Sequence, residues 1–170
     1  MAQLVLTVIG DDRPGMVSEL SGVVEQVGGN WLESQMSRLA GTFAGIVLVD
    51  VPEEQLAGFT AAATALPGLE VRVVAAGAPT GALGSRLHLH LIGHDRPGIV
   101  HLVSEALANT GASIDELYTT TLEAPMAGGL LFEADAIVRL PERLTEDDLR
   151  QSLEGIANEL MVDLDLEDAE

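Results

Sequence analysis

The chain has 170 residues, 47% of them apolar and 21% charged, with 8 Arg, no Lys, 27 Asp and Glu, and no Cys. That length bounds it to one folded domain or two small ones, and the formal net charge of −19 repels phosphate backbones and anionic lipid, which excludes a nucleic-acid-binding surface and a membrane-surface role. Without Cys there is no disulfide, thiolate nucleophile or zinc–thiolate site, and without Lys there is no Schiff base or phosphate-loop lysine.

The chain is written twice. Leu4–Leu39 aligns without gaps on Leu87–Leu122 at an offset of 83, with thirteen of 36 positions identical. The densest match sets Gly10-Asp11-Asp12-Arg13-Pro14-Gly15-Met16-Val17 against Gly93-His94-Asp95-Arg96-Pro97-Gly98-Ile99-Val100. Further on, Phe43 matches Phe132 and Pro52 matches Pro141. The expected organisation is a first domain over 1–76, a linker over 77–85 rich in Ala, Gly and Pro, and a second domain over 86–170.

In the first copy Leu4, Leu6 and Val8 alternate with Val5, Thr7 and Ile9, a strand apolar on both faces. A helix follows, with Asp12 as its expected N-cap, Pro14 in its first turn, and a stripe of Met16, Val17, Leu20, Val23, Val24 and Val27. Gly28-Gly29 ends it. Trp31–Leu39 and Phe43–Val51 read as a hairpin, Glu53–Leu66 as a second helix, and Leu69–Val74 as a last strand. The second copy repeats the order: a strand at Leu87–Ile92 and a helix carrying Ile99, Val103, Ala106 and Leu107. Strands at Ile114–Leu122 and Leu130–Leu140 follow, then a helix starting at Thr145 with Asp148 three residues on, a near capping box. Met161–Leu166 closes the sheet, and the acidic tail beyond it is expected to fray.

A β-α-β-β-α-β unit folds as an α+β ferredoxin-like sandwich, one antiparallel sheet with both helices on one face. The other face carries Val5, Ile9 and Ile46, which do not suit water. Either the two copies cover each other or the chain forms a homodimer.

The repeated G-x-D-R-P-G segment lies where the first strand meets the first helix. Gly10 and Gly93 permit a tight turn, and Gly15 and Gly98 leave the first helical turn bare, so its free N–H groups suit a carboxylate. Asp12 and Asp95 suit an ammonium group, and together these groups suit a zwitterionic amino acid. The plainer reading is that Asp, Pro and Gly are good turn residues. Asn30 and its counterpart Ser113 are polar at the entry to the second strand of each copy; each is a candidate ligand-binding residue or a turn residue. Arg13 and Arg96 hold an anion or, more simply, pair with surface acids. His88 and His90 share one strand face about 6.5–7 Å apart, but a metal would need a carboxylate or third imidazole beside them. The first copy has Val5 and Thr7 there, so no metal site is expected, and no cofactor. Trp31 and Tyr118 are expected to pack. No nucleophile–base arrangement can be defended, which argues against an enzyme. The acidic run Glu142–Asp148 reads as a solvated helix start.

The unit with Gly10-x-Asp12-Arg13-Pro14-Gly15-Met16-Val17 resembles the ACT domain, a regulatory amino-acid-binding module. The subtype is similar to regulatory segments of formyltetrahydrofolate deformylases, some phosphoserine phosphatases and uridylyltransferases. Two such units with nothing else resemble the glycine cleavage system transcriptional repressor family. The resemblance implies a tandem ACT protein that senses a small amino acid, glycine or serine, at Gly10, Asp12, Gly15 and Asn30 and at Gly93, Asp95, Gly98 and Ser113. It implies control of transcription through a protein partner such as a DNA-binding activator. The alternatives are an assembly subunit that recruits a metabolic enzyme without a ligand, or a small enzyme built on His94 or His101 with Asp12 or Asp95. The chain shows no charged-then-apolar leader after Met1 and no run of about 18 apolar residues, and it reads as a soluble cytoplasmic protein.

Overall fold

The computed structural model describes residues 1–78, 84–126 and 128–169; the middle of the expected linker, residues 79–83, lies outside them. The chain divides into two compact units, Met1–Pro79 and Thr80–Glu170.

Unit 1 contains strand β1 (Ala2–Asp11), helix α1 (Met16–Gln26), strands β2 (Asn30–Leu39) and β3 (Thr42–Val51), helix α2 (Leu56–Thr64) and strand β4 (Leu69–Ala75). Its four strands form one antiparallel sheet in the order β2-β3-β1-β4. Period-two alternation sends Leu4, Leu6 and Val8 to one face, and β3 and β4 add Val47, Val49 and Val71. Helices α1 and α2 cover that face with Leu20, Val24 and Phe59, all buried. The α2 segment does not begin as an α-helix at Glu53: residues Glu53–Gln55 form a 3-10 turn after Pro52. The β2–β3 hairpin turns at Ala40 and Gly41, both with positive φ (49° and 81°), the backbone twist that two-residue hairpins favour.

Unit 2 repeats the plan with strand β5 (Arg86–His94), helix α3 (Ile99–Thr110), strands β6 (Ser113–Glu123) and β7 (Leu130–Arg139), helix α4 (Glu146–Leu160) and strand β8 (Val162–Asp168). The sheet order is β6-β7-β5-β8, again antiparallel. Both edge strands β2 and β6 shift register at the same place in the repeat, between Trp31 and Glu33 and between Ile114 and Glu116. Such bulges twist an edge strand and re-aim its side chains. Thr145 and Asp148 close a complete capping box on α4.

Three expectations are corrected. Asp12 does not cap α1, because Gly15 takes the cap position with φ 91°, a left-handed conformation, and no side chain closes it; Gly98 takes the cap position of α3 in the same way with φ 93°. The acidic tail does not fray at Leu166: Glu167 and Asp168 continue β8, paired with His88 and Leu87, since backbone pairing to a central strand needs no apolar side chain. Tyr118 does not pack but stands 63% exposed, because it projects from edge strand β6 to the helix-free side of the sheet; Trp31 packs against the unit 1 core as expected.

The helix-free faces of the two sheets differ. In unit 1 the register places Val5, Ile46, Leu48 and Val74 side by side, with Ile46 49% exposed. In unit 2 the corresponding region holds His88, His90, Glu133 and Asp135.

Candidate functional site

The G-x-D-R-P-G loops join β1 to α1 and β5 to α3. Backbone packing accounts for their first glycine. A Cβ at Gly10 would lie 2.3 Å from the carbonyl oxygen of Gly68, and one at Gly93 would lie 2.4 Å from Val162, so the start of the last strand presses against the end of the first in each unit. The last glycine is fixed by its positive φ, with open space around it: a Cβ at Gly15 would meet only the Glu19 carboxylate at 3.9 Å, and one at Gly98 nothing within 4 Å. The first bond of each helix is made by Glu19 N–H to the Gly15 carbonyl and by Leu102 N–H to the Gly98 carbonyl. Earlier first-turn N–H groups point out of the helix, a local positive potential.

The charged residues of the two loops behave differently. In unit 1 the Arg13 guanidinium donates two hydrogen bonds to the Glu19 carboxylate (2.6 and 2.7 Å) and one to the Pro67 carbonyl (2.8 Å). Its bonds hold the Glu19 carboxyl below the usual carboxylate range. Asp12 pairs with Arg38 at 2.7 Å. Asp12 and Arg13 are therefore each paired within unit 1, as expected for Arg13. In unit 2 the counterparts of Glu19 and Arg38 are Leu102 and Thr121. Among the described residues neither Asp95 nor Arg96 has an ion-pair partner within 4.0 Å. Both line an open depression of about 520 Å³ with Gly98, Ile99, Val100, His101 and Phe132. A small zwitterion needs an anion, a cation and free N–H donors close together, and this loop presents all three.

The structure gathers Gly10, Asp12 and Gly15 into one loop and Gly93, Asp95 and Gly98 into the other, but within a unit it separates Asn30 and Ser113 from them. Asn30 pairs with Asp50, which faces Gln3 across β1. Gly10 is seven residues further along that strand, roughly 23 Å at about 3.3 Å per residue. Ser113 sits likewise at the Arg86 end of its sheet, seven residues from Gly93. The physical reason is that the helix carries the chain back across the whole sheet before the second strand starts.

Sequence reasoning found His88 and His90 but not their carboxylate. Asp135 Oδ1 lies 2.9 Å from His88 Nε2 and 3.0 Å from His90 Nδ1, and Glu133 Oε1 lies 3.7 Å from His90 Nε2. The two imidazoles hold the Asp135 carboxyl below the ordinary carboxylate range. The Glu133/Asp135 alternation on β7 was the available signal; using it required the β5–β7 register.

Residues 2–68 match the family model of the ACT domain. A crystal structure of a protein of unknown function from Galdieria sulphuraria is 34% identical, covers 99% of this chain and of its own, and superposes with a TM-score of 0.89. A structure described as a candidate glycine cleavage system transcriptional repressor is 17% identical over 99% of this chain and 98% of its own, with a TM-score of 0.75, a likeness of fold. A formyltetrahydrofolate deformylase from Pseudomonas syringae pv. tomato is 29% identical over 51% of this chain and 28% of its own, with a TM-score of 0.42. No curated protein matches the chain. Among the described residues no helix is long and apolar enough to cross a membrane.

Proposed function

We propose that this chain, whose residues 2–68 match the ACT-domain model and whose second unit repeats the same sheet order, is a non-catalytic regulator that binds a small amino acid, glycine or serine, at the β5–α3 loop. The observation that carries the reading is the contrast between the loops: Asp12 and Arg13 are committed to Arg38 and Glu19, whereas Asp95 and Arg96 line an open depression. Asp95 receives the ammonium group. Arg96 and the first-turn N–H groups of α3 receive the carboxylate. The first loop serves as the rigid corner that its ion pairs make it. Gly10, Asp12 and Gly15 thus act in folding, and Gly93, Asp95 and Gly98 form the binding loop.

Binding regulates only if the ligand prefers one arrangement of the protein over another. The output we propose is control of transcription of glycine metabolism through a protein partner such as a DNA-binding activator, a role taken from the fold likeness to the repressor structure. The charge of −19 supports action through protein rather than DNA. The apolar open face of unit 1, with Val5, Ile46 and Leu48, favours a second reading in which the chain is an assembly module. Calorimetric titration of glycine and of serine into the full chain decides between them. Saturable binding of one molecule per chain supports the sensor. Absence of heat at concentrations on the order of millimolar (about −4 kcal/mol of binding) overturns it in favour of assembly.

A further inference from the structure

The helix-free face of unit 2 is built around charged and ligating groups. On β5, Leu87, Leu89 and Leu91 are buried under the helices, so His88, His90 and Ile92 project to the other side. The register brings Asp135 opposite His90 and Glu133 opposite Ile92. One donor atom from each of His90, Glu133 and Asp135 lies within 4.8 Å of the others. Metal–ligand bonds of about 2.0–2.2 Å put two ligands of one ion up to roughly 4 Å apart, so small side-chain rotations close this set around an ion.

The repeat supplies an independent observation. At the positions of His88, His90, Glu133 and Asp135, unit 1 has Val5, Thr7, Ala44 and Ile46. Four neighbouring positions on two strands differ together, from no ligating group but a hydroxyl to two imidazoles and two carboxylates. From β8 the same face receives Asp163, Asp165 and Glu167, opposite Ile92, His90 and His88, and from β6 Glu116, Tyr118 and Thr120. Its arginines, Arg86 and Arg139, stand at the far end and are bound to Asp115 and Glu116. The negative charge around His90 is left without a nearby guanidinium.

We propose that this face binds a divalent transition-metal ion of the zinc type through His90, Glu133 and Asp135, with His88 as a positioning residue that holds Asp135 at 2.9 Å. Imidazole with carboxylates selects borderline ions such as Zn²⁺, Co²⁺ or Ni²⁺ over Mg²⁺ and Ca²⁺. The ligand side chains are only partly covered, from 29% exposed at Glu133 to 43% at Asp135, so an ion reaches them without unfolding. The inference is independent of the amino-acid site.

Equilibrium dialysis of the full chain against Zn²⁺ near neutral pH, followed by metal analysis, tests it. One zinc per chain is expected, with no uptake of Mg²⁺ under the same conditions. His90→Ala and the isosteric Asp135→Asn abolish uptake. His88→Ala keeps the stoichiometry but weakens affinity about 10–100-fold, the usual effect of removing an outer partner. His101→Ala, at an exposed position of α3, leaves uptake unchanged. The proposal is overturned if the wild type retains no zinc, or if His90→Ala and Asp135→Asn retain as much as wild type, since the bonds between Asp135 and the imidazoles are then structural only.

Discussion

Left-handed backbone conformations locate the places where residue identity matters most. Gly68 and Met161 occupy the same point of the repeat, just before the last strand, with φ 72° and 53°. Glycine takes that conformation freely, while a side chain there costs roughly 1–2 kcal/mol. Met161 is 76% exposed, so it contributes little packing in return. Met161→Gly is therefore expected to raise the stability of unit 2 by about 0.5–1 kcal/mol after glycine's larger unfolded-state entropy is deducted, measured as an upward shift of the urea midpoint with an unchanged slope. Gly10→Ala should do the opposite in unit 1, because its Cβ meets a backbone carbonyl at 2.3 Å that no rotamer change moves away. The glycines at 10 and 15 were visible in the sequence as turn formers. That one answers a steric contact and the other a positive φ was not, because the contact comes from Gly68, far along the chain.

Elements were legible where a local signal and a periodic pattern agreed. Helix α4 combines the Thr145/Asp148 box with a stripe of Leu149, Leu153 and Leu160, all buried, and begins where the sequence places it. Helix α1 kept its stripe except at Val17, which is 46% exposed, and its start moved: a glycine with positive φ ends the preceding turn and displaces Asp12 from the cap. The bulges at Trp31–Glu33 and Ile114–Glu116 left no mark in the sequence that alternation could reveal. Thr145→Ala is expected to cost about 1 kcal/mol, seen as a lower urea midpoint. The hydrogen bonds that Thr145 donates hold the Asp148 carboxyl below the usual carboxylate range. Because the folded pKa is the lower one, this stabilisation is fully present above the unfolded-state pKa and is lost as pH falls through the folded one. Asp148→Asn should therefore destabilise the protein at neutral pH, and the difference from wild type should shrink towards zero in strong acid, by urea unfolding at a series of pH values.

At the scale of the whole molecule, duplication produced two similar frames with different surfaces. The repeat made the tandem α+β fold readable from one alignment of the chain on itself. It did not show in which copy the loop's Asp and Arg are ion-paired. That depends on Arg38 and Glu19, which reach Asp12 and Arg13 across the hairpin and along the helix and have no ionic counterpart at Thr121 and Leu102. The resemblance groups Asn30 and Ser113 with the loops, yet within their own units they sit at the opposite end of the sheet. In the proposed function, effector binding belongs to the second loop alone. Calorimetric titration of glycine and serine into wild type, Asp95→Ala and Asp12→Ala tests it most directly. The account predicts one site per chain in wild type, at least about a tenfold loss of affinity in Asp95→Ala, equivalent to about 1.4 kcal/mol, and near-wild-type binding in Asp12→Ala. Binding that survives Asp95→Ala and disappears in Asp12→Ala would contradict it.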